Sequence, residues 1–202
     1  MNESKVIEII ECAGTPYEIG LQYGMAGISF LQESLELCVD TLINFSNITM
    51  NAELSKDEIL TTAGKFFSMV EDFDPDLIEF VKGQAEGAGM NFRETFYLRC
   101  AYEMLLNYGQ LSSMCASFAA TGSATENGKS IIGRNIDFSG DWPFKLLKIR
   151  HIDGMEQLAL CTGVTTALVS KTLASVIMVP EDRKMFIAYG NPCRSDYVEF
   201  GV

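Results

Sequence analysis

The sequence predicts an α+β protein, with a helical region over residues 1–114 and an antiparallel β region over residues 115–202, together forming one domain. Two observations carry this. Helix-start signals followed by apolar residues three and four apart recur up to about residue 107. After a short polar link, Tyr108-Gly109-Gln110-Leu111-Ser112-Ser113, strand-like segments flank turn dipeptides. The chain has 202 residues, 48% hydrophobic and 21% charged, which is enough for one sizeable core.

In chain order, Val6–Ile10 reads as a short strand. Thr15-Pro16-Tyr17-Glu18 then forms a capping box with proline at the first helical position. The helix it starts is expected to run to about Asn44, with Ile19, Tyr23, Leu31, Leu35, Cys38 and Leu42 on one face. Gly20, Gly24 and Gly27 cost helical stability, so they predict close packing against another element. Ser55-Lys56-Asp57-Glu58 is a second capping box, leading into Ile59, Ala63, Phe66, Phe67 and Val70. Asp74-Pro75 starts a third helix and Asn91-Phe92-Arg93-Glu94 a fourth. In the β region, Ala116–Thr121 and Ser130–Asn135 flank Asn127-Gly128. Lys145–Ile152 and Met155–Thr162 flank Asp153-Gly154. Both dipeptides favour tight hairpins because they accept positive φ. Leu173–Val179 and Lys184–Tyr189 flank Pro180-Glu181-Asp182-Arg183.

The formal net charge is −12. It resides entirely in residues 1–114, which carry 18 acidic and 6 basic side chains, whereas residues 115–202 carry 9 of each. Phosphate would be repelled by such a surface, so nucleic acid is not expected as a partner. No segment reads as a membrane span, and residues 1–5 do not open a secretory signal. A cytoplasmic location with reduced thiols is therefore expected. Of the six cysteines none forms a C-x-x-C pair, and with one histidine no metal site or other cofactor is expected.

Among these cysteines Cys115 is distinguished by position. It opens the β region, and Gly133-Arg134-Asn135-Ile136-Asp137 closes the strand predicted to pair with it. An antiparallel hairpin returns Arg134 and Asp137 toward Cys115. A thiol attacking a carbonyl carbon needs a base for its proton and donors for the oxyanion. His151, in an alternating strand, is a weak candidate for that base. Cleavage of the Met114–Cys115 bond would supply another, the α-amino group of Cys115. Its reference pKa of about 7.7–8.0 lies close to the thiol's value of about 8.5. Asp137 could orient that amine and Arg134 could favour thiolate. A buried, unreactive cysteine beside a Gly-Arg-Asn hairpin fits the same spacing. Tyr17, Tyr23, Tyr102 and Phe96 could line an apolar acyl pocket, and core packing explains them equally well.

Cys115-Ala116-Ser117-Phe118-Ala119, Asn127-Gly128-Lys129 and Gly133-Arg134-Asn135-Ile136-Asp137-Phe138 together resemble the acyl-coenzyme A:6-aminopenicillanic acid acyltransferase family. The residues from Gly14 to Gly24 resemble its N-terminal motif, and Gly190-Asn191-Pro192-Cys193 resembles its C-terminal end. These are N-terminal-nucleophile hydrolases of αββα fold, related to the choloylglycine hydrolases. The resemblance implies autocleavage between Met114 and Cys115, with Cys115 as nucleophile and Asp137 holding its amine. Arg134 occupies the arginine position of the choloylglycine relatives. Ser117 matches a small hydroxyl residue near the nucleophile, and Ser117 and Asn135 are the substrate-binding candidates. The implied reaction is amide hydrolysis or acyl transfer, on a small-molecule acyl amide or acyl thioester.

Three departures from the family pattern stand out. Met114 replaces the glycine frequent before the cleaved bond. The chain is shorter, with a join near residues 163–171. The missing stretch normally supplies an oxyanion asparagine, further strands and the second helical layer, so part of the second sheet and of that layer is expected to be absent. A sheet left uncovered could be covered by a second copy of the chain. A catalytically inactive, shortened family member acting as a binding or scaffold protein is the alternative, and a thiol redox protein is a weaker third.

Overall fold

A computed structural model describes residues 8–108, 116–138, 144–162, 171–189 and 195–201. In chain order the elements are β1 (Ile9–Gly14), α1 (Pro16–Ala26), α2 (Ile28–Met50), α3 (Lys56–Gly64), α4 (Phe67–Phe73), α5 (Pro75–Ala88), α6 (Phe92–Tyr108), β2 (Ala116–Gly122), β3 (Gly128–Phe138), β4 (Phe144–His151), β5 (Glu156–Thr162), β6 (Lys171–Val179), β7 (Lys184–Tyr189) and β8 (Tyr197–Gly201). The protein is α+β. Its contacts divide into two compact units. One, the helical unit, holds residues 8–108 and 144–162. The other holds the described residues 116–138, 171–189 and 195–201.

The helical unit contains the six α-helices found among the described residues and a three-stranded sheet of order β1-β4-β5. β1 runs parallel to β4, with Ile10 opposite Leu147 and Cys12 opposite Ile149. These side chains are buried with Ile19 and Tyr23 of α1 and Phe30 and Leu31 of α2, forming one apolar cluster. Of the predicted strand Val6–Ile10, Val6 and Ile7 lie outside the described residues. The observed strand starts at Ile9 and continues to Gly14, because Ile10 and Cys12 alternate inward with Glu11 between them. Gly14 ends it at φ +126°, a backbone conformation that side-chain-bearing residues rarely adopt. The next residue, Thr15, caps α1. Its hydroxyl accepts from the Glu18 amide, while Glu18 accepts from the Thr15 amide at 2.8 Å.

α1 and α5 pack through glycines. A Cβ on Gly20 or Gly24 would collide with the carbonyl oxygens of Phe80 and Gln84, and one on Gly83 or Gly87 with those of Tyr17 and Leu21. The two backbones therefore lie in direct contact, as the glycine spacing in the first helix predicted. Gly27 has another role. The expected single helix to Asn44 breaks there at φ −108°, and α2 then continues to Met50. A Cβ at this position would come within 3.0 Å of the Tyr23 carbonyl oxygen, a close approach that glycine avoids. Asn51 closes α2 in the left-handed conformation. The Ser55 capping box, the Asp74 cap with Pro75 and the start of α6 at Phe92 form as predicted. The helix predicted from Ser55 through Val70 is instead two helices, α3 and α4, interrupted at Lys65–Phe66.

The other unit is a five-stranded antiparallel sheet of order β2-β3-β6-β7-β8. The β2–β3 and β6–β7 hairpins form where predicted, but the β2–β3 connection is not a tight two-residue turn: it spans residues 123–127, and Gly128 takes φ +75° while Asn127 does not take positive φ. The β4–β5 hairpin also forms, with Gly154 at φ +83°, but in the helical unit. The turn after β6 is tied to β3, because the Ser130 amide donates to Glu181 at 2.8 Å and Lys129 pairs with Asp182. β8 was not expected from the sequence. It pairs with β7 through Val198 opposite Ile187, and Lys184 meets Glu199 at 2.8 Å. Among the described residues no helix is long and apolar enough to cross a membrane.

Candidate functional site

The β2–β3 hairpin carries the described site candidates. Its turn is shaped by Thr125, whose hydroxyl meets the carbonyls of Gly122 and Lys129 at 3.1 and 2.8 Å. The Asn127 side chain accepts from the Lys129 amide at 3.1 Å. Past the turn the ladder runs Phe118 opposite Gly133, Ser117 opposite Arg134 and Ala116 opposite Asn135. The ring of Phe118 lies over Gly133, where any side chain would collide with it.

This register puts Ser117 and Arg134 side by side on one face of the hairpin, because directly opposed residues share a face. Both are exposed. Asn135 points to the other face, since successive side chains alternate along a strand. There the Ser175 hydroxyl donates to Asn135 Oδ1 at 2.8 Å. With its carbonyl oxygen so used, Asn135 keeps its amide hydrogens as donors. The substrate-binding pair Ser117 and Asn135 is thus divided between the two faces.

Asp137 follows two residues on, where the β3–β6 register shifts: Ile136 opposes Ala174 and Asp137 opposes Thr172. The Asp137 side chain, Cys115 and Met114 lie outside the described residues. β2 begins at Ala116, the residue bonded to Cys115, and it begins opposite Asn135. The last residues of β3 therefore extend past the start of β2.

The remaining candidates lie in the helical unit. His151 ends β4 opposite Gly14, and its Nε2 finds no hydrogen-bond partner among the described residues. Tyr23 is buried and stacked on Phe80, with ring centres 6.1 Å apart. Tyr17 donates to Glu86 at 2.5 Å, bridging α1 and α5. That hydrogen bond to a carboxylate is the main cause holding the Tyr17 hydroxyl above its ordinary range. Phe96 does line a cavity, of about 250 Å³, together with Leu60, Gly64, Phe67, Phe92 and Arg93. The Arg93 guanidinium is engaged by Asp57 and Thr61, at 3.2 and 2.9 Å. The Tyr102 side chain is outside the described residues.

Cys12, Cys38 and Cys100 are buried thiols outside any disulfide. Burial, with Glu103 nearby, pushes the Cys100 thiol up to about 12, so it stays protonated and unreactive near neutral pH. Among the described residues no cluster of three His, Cys, Asp or Glu side chains could share a metal ion. Ser175 and Tyr197 are polar groups at the hairpin that the sequence did not single out. Ser175 lies in the predicted strand Leu173–Val179, and the alternation of Tyr197-Val198-Glu199-Phe200 is the signal that could have exposed the strand carrying Tyr197. In comparisons with known proteins, the chain matches no family model and no curated sequence.

Proposed function

We propose that the chain is a thiol N-terminal-nucleophile amidohydrolase or acyltransferase, activated by cleavage between Met114 and Cys115. Its substrates are acyl amides, cleaved at the C–N bond, or acyl thioesters. The carrying observation is the β2–β3 register, which sets Arg134 beside Ser117 and carries the end of β3 past the start of β2. A nucleophile bonded to Ala116 then has Arg134 and Asp137 on the neighbouring strand.

In this mechanism the liberated α-amino group takes the thiol proton and the sulfur attacks the acyl carbon. The Arg134 guanidinium favours the thiolate, and the Asp137 carboxylate orients the amine. Collapse of the tetrahedral intermediate breaks the C–N or thioester bond. The ammonium returns its proton to the leaving group, and a thioester to Cys115 remains. Water or an acceptor amine then releases the acyl group. The finer fold belongs to the same proposal: an αββα arrangement lacking part of its second sheet and helical layer. Two separate sheets support it, as does the absence of any α-helix among the described residues after Cys115.

Thiol labelling against pH tests the chemistry. Cys115, located by peptide mass mapping, should alkylate with an apparent pKa clearly below the reference value of about 8.5. Arg134→Ala should move it upward. Labelling of Cys115 as an ordinary thiol, unaffected by Arg134→Ala, would favour a binding or scaffold protein instead.

A further inference from the structure

The face of the five-stranded sheet opposite Arg134 carries a polar chain that the proposed chemistry does not use. Asn135, Ser175, Ala188 and Tyr197 are paired in one row across β3, β6, β7 and β8. The Tyr197 hydroxyl donates to Ser175 Oγ at 2.8 Å, and Ser175 donates in turn to Asn135 Oδ1 at 2.8 Å. Ser175 is only 6% exposed, so its hydroxyl relies on these two partners rather than on water. A directional chain of this kind fixes the Asn135 rotamer and holds β3 at that residue.

The location matters. Asn135 directly follows Arg134, and the β3–β6 register shift falls one residue beyond it: Ile136 opposes Ala174 and Asp137 opposes Thr172, which leaves Leu173 of β6 as the extra residue. A shift of this type interrupts the ladder and raises the local twist beside Asp137. The strand is thus clamped between the two residues whose directions the proposed chemistry requires. The clamp reaches across the sheet to β8.

We infer that Tyr197, Ser175 and Asn135 form a positioning relay for the Cys115 site, holding β3 so that Arg134 and Asp137 keep their working directions. This inference rests on the proposed thiol chemistry. Tyr197 and Ser175 act through Asn135 and are not themselves catalytic. A merely structural role, in which the hydroxyls only fasten β8 to the sheet, differs in one respect: any loosening of β8 would then have the same effect.

The test uses the full chain as wild type, Tyr197→Phe and Glu199→Gln. Glu199→Gln weakens the Lys184–Glu199 contact between β7 and β8 and leaves the relay intact. The readouts are the fraction self-cleaved with time, the pH profile of Cys115 alkylation and the thermal midpoint. Tyr197→Phe, which removes one hydroxyl from a side chain 38% exposed, should melt close to wild type. It should slow self-cleavage about tenfold or more and move the alkylation profile upward, because small misplacements of reacting groups carry large rate penalties. Glu199→Gln should do neither. Wild-type behaviour of Tyr197→Phe, or equal slowing by Glu199→Gln, overturns the relay and leaves the thiol chemistry standing. A wild-type chain that stays whole with an ordinary Cys115 thiol removes both.

Discussion

At the scale of single residues, two glutamates set the starts of two helices. Glu18 and Glu58 each accept hydrogen bonds from the cap residue three positions earlier. These bonds favour the charged carboxylate and hold both groups below the usual carboxylate range. The Thr15 amide is the main cause for Glu18, and the Ser55 hydroxyl for Glu58. The sign follows directly. A carboxyl whose pKa is lower folded than unfolded contributes stability that is present above the unfolded value, about 4.3, and is lost as the pH falls through the folded value. Ser55→Ala should therefore lower stability by about 1 kcal/mol at pH 7, read by urea unfolding. The deficit of Glu58→Gln relative to wild type should be larger at pH 7 than at pH 3. An equal deficit at both values would show that the carboxylate charge is not involved.

At the scale of elements, the α1–α5 pair makes the sharpest demand on sequence. Gly20 and Gly83 abut backbone carbonyls, which cannot move aside as the end of a flexible side chain can. Gly20→Ala and Gly83→Ala should each lower stability by about 3 kcal/mol, through overpacking of a tight contact. Gly64, at the end of α3, has nothing within 4 Å of the position its Cβ would take. Gly64→Ala should accordingly raise stability by about 0.5 kcal/mol. Urea unfolding of the three variants checks both signs. The same elements show what is legible in a sequence. Capping boxes at Thr15 and Ser55 and hairpins at Asn127-Gly128 and Asp153-Gly154 are local chemistry, and each formed at its predicted place. The break at Gly27 was not legible, because a glycine that packs and a glycine that interrupts look alike in sequence. Nor was the parallel pairing of β1 with β4, which joins residues 9–14 to residues 146–151.

At the scale of the whole molecule, the β region of the sequence does not form one sheet. β4 and β5 belong with β1 and the helices, and β2, β3, β6, β7 and β8 make the other sheet. Hairpin signals identify partners within a pair but not the sheet that the pair joins. The same limit applies to the candidate site. Turn chemistry and spacing were enough to anticipate the hairpin carrying Ser117, Arg134 and Asn135. They did not reveal that Asn135 faces away from Arg134, or that Ser175 of β6 bonds it while Tyr197 of β8 bonds Ser175. Those contacts depend on strand order, which no short motif encodes.

The central claim is that one residue supplies both the attacking sulfur and, once the chain is cut, the base. The intact mass of the purified wild-type protein and of Cys115→Ala tests it most directly. The account predicts that the wild type separates under denaturing conditions into fragments 1–114 and 115–202, while Cys115→Ala remains a single chain. A wild-type protein recovered only as the uncut chain, or a Cys115→Ala chain cut at the same bond, would contradict it.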